Sequence, residues 1–84
     1  MSEKKIGMIS HYFGKISVAG VEIEKGKLET GDTIRITGHT TDFTQIVKSM
    51  QIDLQTVDVA KKGDSIGIKV SERVREHDEV YKIV

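Results

Sequence analysis

The side chains best equipped for chemistry fall in a few short stretches. His11-Tyr12-Phe13-Gly14-Lys15 sets aromatic rings beside a cation, the combination with which small β-domains stack bases and hold backbone phosphates. The same rings could instead close one end of a barrel, where aromatic side chains bury their area well. Arg73 and Arg75 stand two apart as a fork-like pair suited to phosphate. Glu72, Glu76, Asp78 and Glu79 surround them, and a solvated, salt-bridged corner is the plainer reading. Asp64-Ser65-Ile66-Gly67 fits the Asp-x-x-Gly pattern of a nucleotide switch. No Gly-x4-Gly-Lys-Ser/Thr loop exists to hold the phosphates such a switch answers to. GTP binding is therefore not expected.

Catalysis finds no support either. His11, His39 and His77 lie far apart and lack the paired spacing of metal ligands. Ser10, Ser17 and Ser49 have no Gly-x-Ser-x-Gly context. With no cysteine there is no thiol nucleophile, thiolate site or disulfide. The chain is expected to be non-enzymatic, with no metal and no cofactor.

Composition bounds the rest. The 84 residues suit one domain with a modest core. A hydrophobic share of 37% with 31% charged residues describes a soluble globular protein. No stretch approaches the ~20 apolar residues of a membrane helix, and Met-Ser-Glu-Lys-Lys leads into no signal core. A cytoplasmic location is the expectation. Thirteen basic and thirteen acidic side chains cancel, which argues against strong independent binding to duplex nucleic acid.

The elements that must position these residues read as short strands. Residues 1–5 look like a flexible lead, followed by a strand over Ile6 to Phe13. In Lys15 to Ile23 the apolar parity changes at Ala19-Gly20, which suggests a bulge. Ile34 and Ile36, and later Ile66, Ile68 and Val70, alternate cleanly inward. Phe43 to Leu54 is the longest β-like run, with a second parity break at Ile46-Val47. Thr56 to Lys62 reads as a loop, Glu72 to His77 as a charged corner and Asp78 to Val84 as the last strand. About six short strands with glycine-based corners and no long helix predict an all-β fold, a small closed antiparallel β-barrel spanning residues 1–84. Its interior would be too small for a ligand pocket of ~300 Å³ or more.

Two corners echo each other. "LETGDTIRITG" (Leu28 to Gly38) and "AKKGDSIGIKV" (Ala60 to Val70) both place Gly-Asp before an Ile-x-Ile strand. Glycine can take positive φ there, and the aspartate can accept backbone N–H bonds that fix the turn. Gly20, Gly26, Gly31, Asp32, Gly63 and Asp64 are thus read as structural turn residues.

The order Gly20-x5-Gly26-x-Leu28-x2-Gly31-Asp32-x-Ile34, then Ala60-x2-Gly63-Asp64-x-Ile66-Gly67-Ile68, then Glu79-Val80-Tyr81, resembles the second domain of translational GTPases such as elongation factor Tu and initiation factor two. Stand-alone elongation factor-like proteins share this pattern, as do C-terminal barrels of some collagenase-like peptidase family proteins that act on RNA. The resemblance implies a translation-factor second-domain barrel that binds tRNA or rRNA, or a ribosome-associated component. It also implies that the region of Met50, Gln51, Asp53 and Gln55 lies near an RNA acceptor end. Tyr12, Lys15, His39, Phe43, Lys48, Gln51, Asp53, Gln55, Arg73 and Arg75 are the candidate contacts. The alternative is a protein–protein adaptor, or an accessory barrel for a separately encoded RNA-modifying enzyme, which a neutral surface fits better.

Overall fold

The computed structural model describes residues 2–84, and its elements follow from where β-branched residues alternate with polar ones. Ten strands form: β1 (Glu3–Phe13), β2 (Val18–Ile23), β3 (Lys27–Glu29), β4 (Thr33–Thr37), β5 (Asp42–Ile46), β6 (Met50–Ile52), β7 (Gln55–Val57), β8 (Val59–Lys61), β9 (Ser65–Lys69) and β10 (Glu79–Ile83). Eight of them make one antiparallel sheet in the order β5-β4-β10-β1-β2-β9-β6-β7, and β3 pairs with β8. The sheet curls into an all-β barrel around Ile9, Val21, Leu28, Ile34, Ile36, Met50, Ile68 and Val80, all essentially buried. Alternation places them there, because one parity of each strand faces the axis.

The barrel is not closed by a continuous ladder. β5 and β7 are the two ends of the sheet. Across the seam beside β5 a single side chain does the bridging. The Gln45 amide donates to the Lys69 carbonyl at 2.8 Å and accepts from the Ser71 N–H at 2.9 Å.

Several expectations change in the fold. Ten strands replace about six, because three-residue strands carry too few positions to show a period. The run from Phe43 to Leu54 breaks in two, and Thr56 to Lys62 supplies β7 and β8 instead of a loop. Asp53 and Leu54 take φ of 50° and 67°, the doubly left-handed turn that joins tight hairpins. Asp-Leu does not announce such a turn as Asn-Gly would. Glu3, Lys4 and Lys5, expected to be flexible, pair with Ile83, Lys82 and Tyr81; Met1 lies outside the described residues. The bulge expected at Ala19-Gly20 sits instead on the facing strand, where the register shifts between Ile9 and His11. Ala19, Val21 and Ile23 simply share the buried face of β2.

The Gly-Asp echo proves to be threefold. In the first corner Asp32 Oδ2 accepts from Glu29 N–H at 2.8 Å. In the second, Asp64 Oδ2 accepts from Lys61 N–H at 2.9 Å, and in the third Asp78 Oδ2 accepts from Arg75 N–H at 3.0 Å. Each corner is then stitched to a buried aliphatic residue. Gly31 N–H donates to Val47, Gly63 N–H to Ile23 and His77 N–H to Ile9, each at 2.8 Å. Val47, Ile23 and Ile9 donate back to Asp32, Asp64 and Asp78 at 2.8, 2.9 and 2.8 Å. Asp32, Asp64 and Asp78 each lead directly into a barrel strand, β4, β9 and β10.

Candidate functional site

Two open clefts flank the Gln45 bridge, and both lie along the unclosed seam. The first, about 450 Å³, is lined by Gln45, Ile46, Lys48, Ser49, Lys69, Val70 and Ser71. The second, about 540 Å³ and polar, is bounded by the Thr37–Asp42 segment together with Glu72 and Arg73. Both clefts open to the surface.

The sequence-predicted contacts do not converge on one face. His39 and Arg73 share the second cleft, while Lys48 lines the first. Gln51, Asp53 and Gln55 belong to the β6–β7 hairpin, exposed and bordering neither cleft. Tyr12 is half-buried and packs against the core, and Lys15 lies in the exposed turn after β1. Phe43 must be withdrawn as a contact: it is 8% exposed and belongs to the core. Arg73 and Arg75 both reach solvent, but Val74 between them is buried at 1% exposure. The charged corner is therefore pinned from below, a role its polar neighbours conceal in the sequence.

The remaining candidates are accounted for locally. His11 stacks edge-on against Phe13, with centroids 4.5 Å apart, and its Nδ1 lies 3.6 Å from Glu76. The Asp64 carboxylate of the apparent switch motif accepts from the Lys61 backbone. Among the described residues no group of three or more His, Cys, Asp or Glu is placed to hold a metal.

Fixed charge concentrates on the outer face of β4, β5 and β1. Arg35 donates from Nε and Nη2 to Asp42 at 2.9 and 3.0 Å, and from Nη1 to Glu3 at 3.2 Å. The bond from Arg35 holds the Asp42 carboxyl below its ordinary 3.8. The bonds from Lys5 and then Tyr81 hold the Glu79 carboxyl below its ordinary 4.5. A depressed carboxyl stabilises the fold above its unfolded value, and that contribution is lost as pH falls through the folded one. Thermal stability should thus hold from neutral pH to about 4.5 and decline below it. An Arg35→Ala, Lys5→Ala double variant should lose part of that acid slope in melting curves taken across pH. High salt should shrink the difference, because the pairs are exposed.

Comparison with known proteins gives this barrel its relatives. Residues 17–80 match the family model "Elongation factor Tu domain 2". A 78-residue segment is 45% identical to an uncharacterized protease of Methanocaldococcus jannaschii, covering 92% of this chain and 19% of that protein. The same identity and coverage of this chain hold against a collagenase of Porphyromonas gingivalis, here over 22% of its length. The chain thus spans about a fifth of the curated relatives it matches. In structure it is similar to the C-terminal domain of a putative U32 peptidase from Geobacillus thermoleovorans, at a TM-score of 0.89 and 18% identity, covering 96% of this chain and 93% of that one. The selenomethionine variant of that domain matches at a TM-score of 0.86, over 92% of this chain and 96% of the other.

These relatives correct the functional expectation. A translation-factor module binding tRNA, rRNA or the ribosome, stand-alone or as an accessory to an RNA-modifying enzyme, is overturned by proteins named protease and collagenase. The barrel resemblance survives that correction. With its matched segment running from Ser17 to Val80, the chain belongs to the elongation factor Tu domain 2 family.

Proposed function

We propose that this chain is a non-catalytic, protein-binding β-barrel that serves a protease-family protein of the collagenase kind. One observation carries the reading: 45% identity over 92% of the chain to a protein named collagenase, confined to about a fifth of that protein's length. A domain that small beside a much longer remainder fits an accessory role, with bond cleavage carried out elsewhere. A neutral, mixed surface suits contact with polypeptide. A cysteine-free chain is at home in a reducing compartment, and we place it in the cytoplasm.

The test is direct. The purified chain, incubated with fluorescein-labelled gelatin and casein, should release no labelled fragments above a buffer control. Hydrolysis that follows the pure protein through successive columns would make it an enzyme and end this reading.

A further inference from the structure

The cleft on the Lys48 side of the Gln45 bridge combines three features. Its aliphatic lining is Ile46, 55% exposed on an end strand of the sheet, together with Val70, a core residue 5% exposed. Exposed aliphatic edges invite unwanted pairing and are ordinarily covered or blunted. Its two charged lining residues, Lys48 and Lys69, are both cations. Neither forms an ion pair with any described residue, although four other lysine or arginine side chains do. No acidic side chain lines the cleft to neutralise them.

The third feature is the outer edge of β5, which has β4 on one side and, on the other, no paired strand but the Gln45 side chain reaching to Lys69 and Ser71. An extended peptide can lie along the groove beside such an edge, with alternate side chains turned into it. The Gln45 amide holds the two walls together, bonded to both Lys69 and Ser71, so the width is set before anything binds. A volume of about 450 Å³ falls in the range of working ligand sites.

We infer that this cleft binds an extended peptide in which acidic side chains alternate with aliphatic ones. The period of two in a strand sends successive side chains to opposite faces. The aliphatic set meets Ile46 and Val70, and the acidic set is drawn to Lys48 and Lys69. Nucleic acid fits less well, because no aromatic ring lines the cleft to stack a base. The inference rests on the reading of the barrel as a protein-binding accessory and names the peptide chemistry it takes.

Fluorescence anisotropy on the intact chain tests it, with four labelled probes. These are the five-residue peptides ELELE, KLKLK and ESESE, and an oligouridine. ELELE should bind at least tenfold tighter than the other three, and more weakly as salt rises. The double variant Lys48→Glu, Lys69→Glu should lose at least tenfold in affinity for it, and Ile46→Ser should lose threefold or more. All three positions are exposed, so melting temperatures within a few degrees of the parent will separate lost binding from lost folding. Failure to bind ELELE, equal binding of KLKLK, preference for oligouridine, or undiminished binding by the double variant would each overturn the assignment. These measurements use the barrel alone. Failure here, with the barrel still supporting cleavage inside a full-length protease, removes the cleft and leaves the accessory role standing.

Discussion

Replacing Gly7 with alanine should destabilise the barrel by about 3 kcal/mol, the largest single effect expected from so small a change. Gly7 is buried in β1, between Ile23 of β2 and Val80 of β10. A Cβ built on it would fall onto the backbone carbonyl oxygen of Glu22, with the Ile23 Cα only 3.4 Å away. Side-chain tips can swing aside, whereas a carbonyl in the middle of a ladder cannot. Relief would require β1 and β2 to part, and these strands pair at six positions from Gly7 to Phe13. For a domain of this size 3 kcal/mol corresponds to a fall in melting temperature of roughly 12–24 °C. A fall under 3 °C would mean that the two strands are not packed as described.

The second large effect concerns the corner hidden from the sequence. Asp78→Ala should cost about 2 kcal/mol, because it leaves the Arg75 N–H without its acceptor in a partly buried corner. Asp78 is 5% exposed and its other carboxylate oxygen lies against Gly38, so the corner and the loop before β5 should loosen together. The neighbouring residue should respond in the opposite direction. His77 holds φ at 74° where the two equivalent corners place glycine at 94°. His77→Gly removes a side chain from the left-handed region, and should gain about 0.5–1 kcal/mol after glycine's added unfolded-state entropy is subtracted. Chemical denaturation of both variants checks the pair. Equal and negligible shifts would show that the third corner is not built like the first two.

Those corners show how much of the fold the sequence carries. Asp32 and Asp64 were legible because glycine precedes each and a clean Ile-x-Ile strand follows. Asp78 was not, since His77 occupies the left-handed position and charged residues crowd the approach. The barrel class could be read from the alternation at Ile34, Ile36, Ile66 and Ile68, which only a half-buried strand explains. The hairpin of β6 and β7 could not, because Asp53 and Leu54 make a left-handed turn without the residues that usually signal one. Phe43, a candidate contact, and Val74, inside the charged corner Glu72 to His77, are buried for a common reason. Burial depends on what lies across the barrel, and sequence neighbours say little about that.

The site was less legible than the fold. Lys48, His39 and Arg73 stand among the candidate contacts, Arg73 as half of a phosphate fork. None of these readings could place Gln45 against Lys69, 24 residues away. The seam exists only once β5 finds itself at the end of the sheet. Both clefts follow from that topology, and the charge of the first comes from two lysines that no local motif joins.

The accessory role is tested most directly inside a relative. In the Porphyromonas gingivalis collagenase, the matched fifth of the protein would be deleted in one version and exchanged for this chain in another. Cleavage of gelatin and of a short peptide substrate would then be compared. Deletion should raise KM for gelatin at least tenfold while leaving turnover of the short peptide near the parent value, and the exchange should restore gelatin cleavage. Unchanged gelatin cleavage after deletion, or loss of short-peptide turnover in a protein that still folds, would contradict the account.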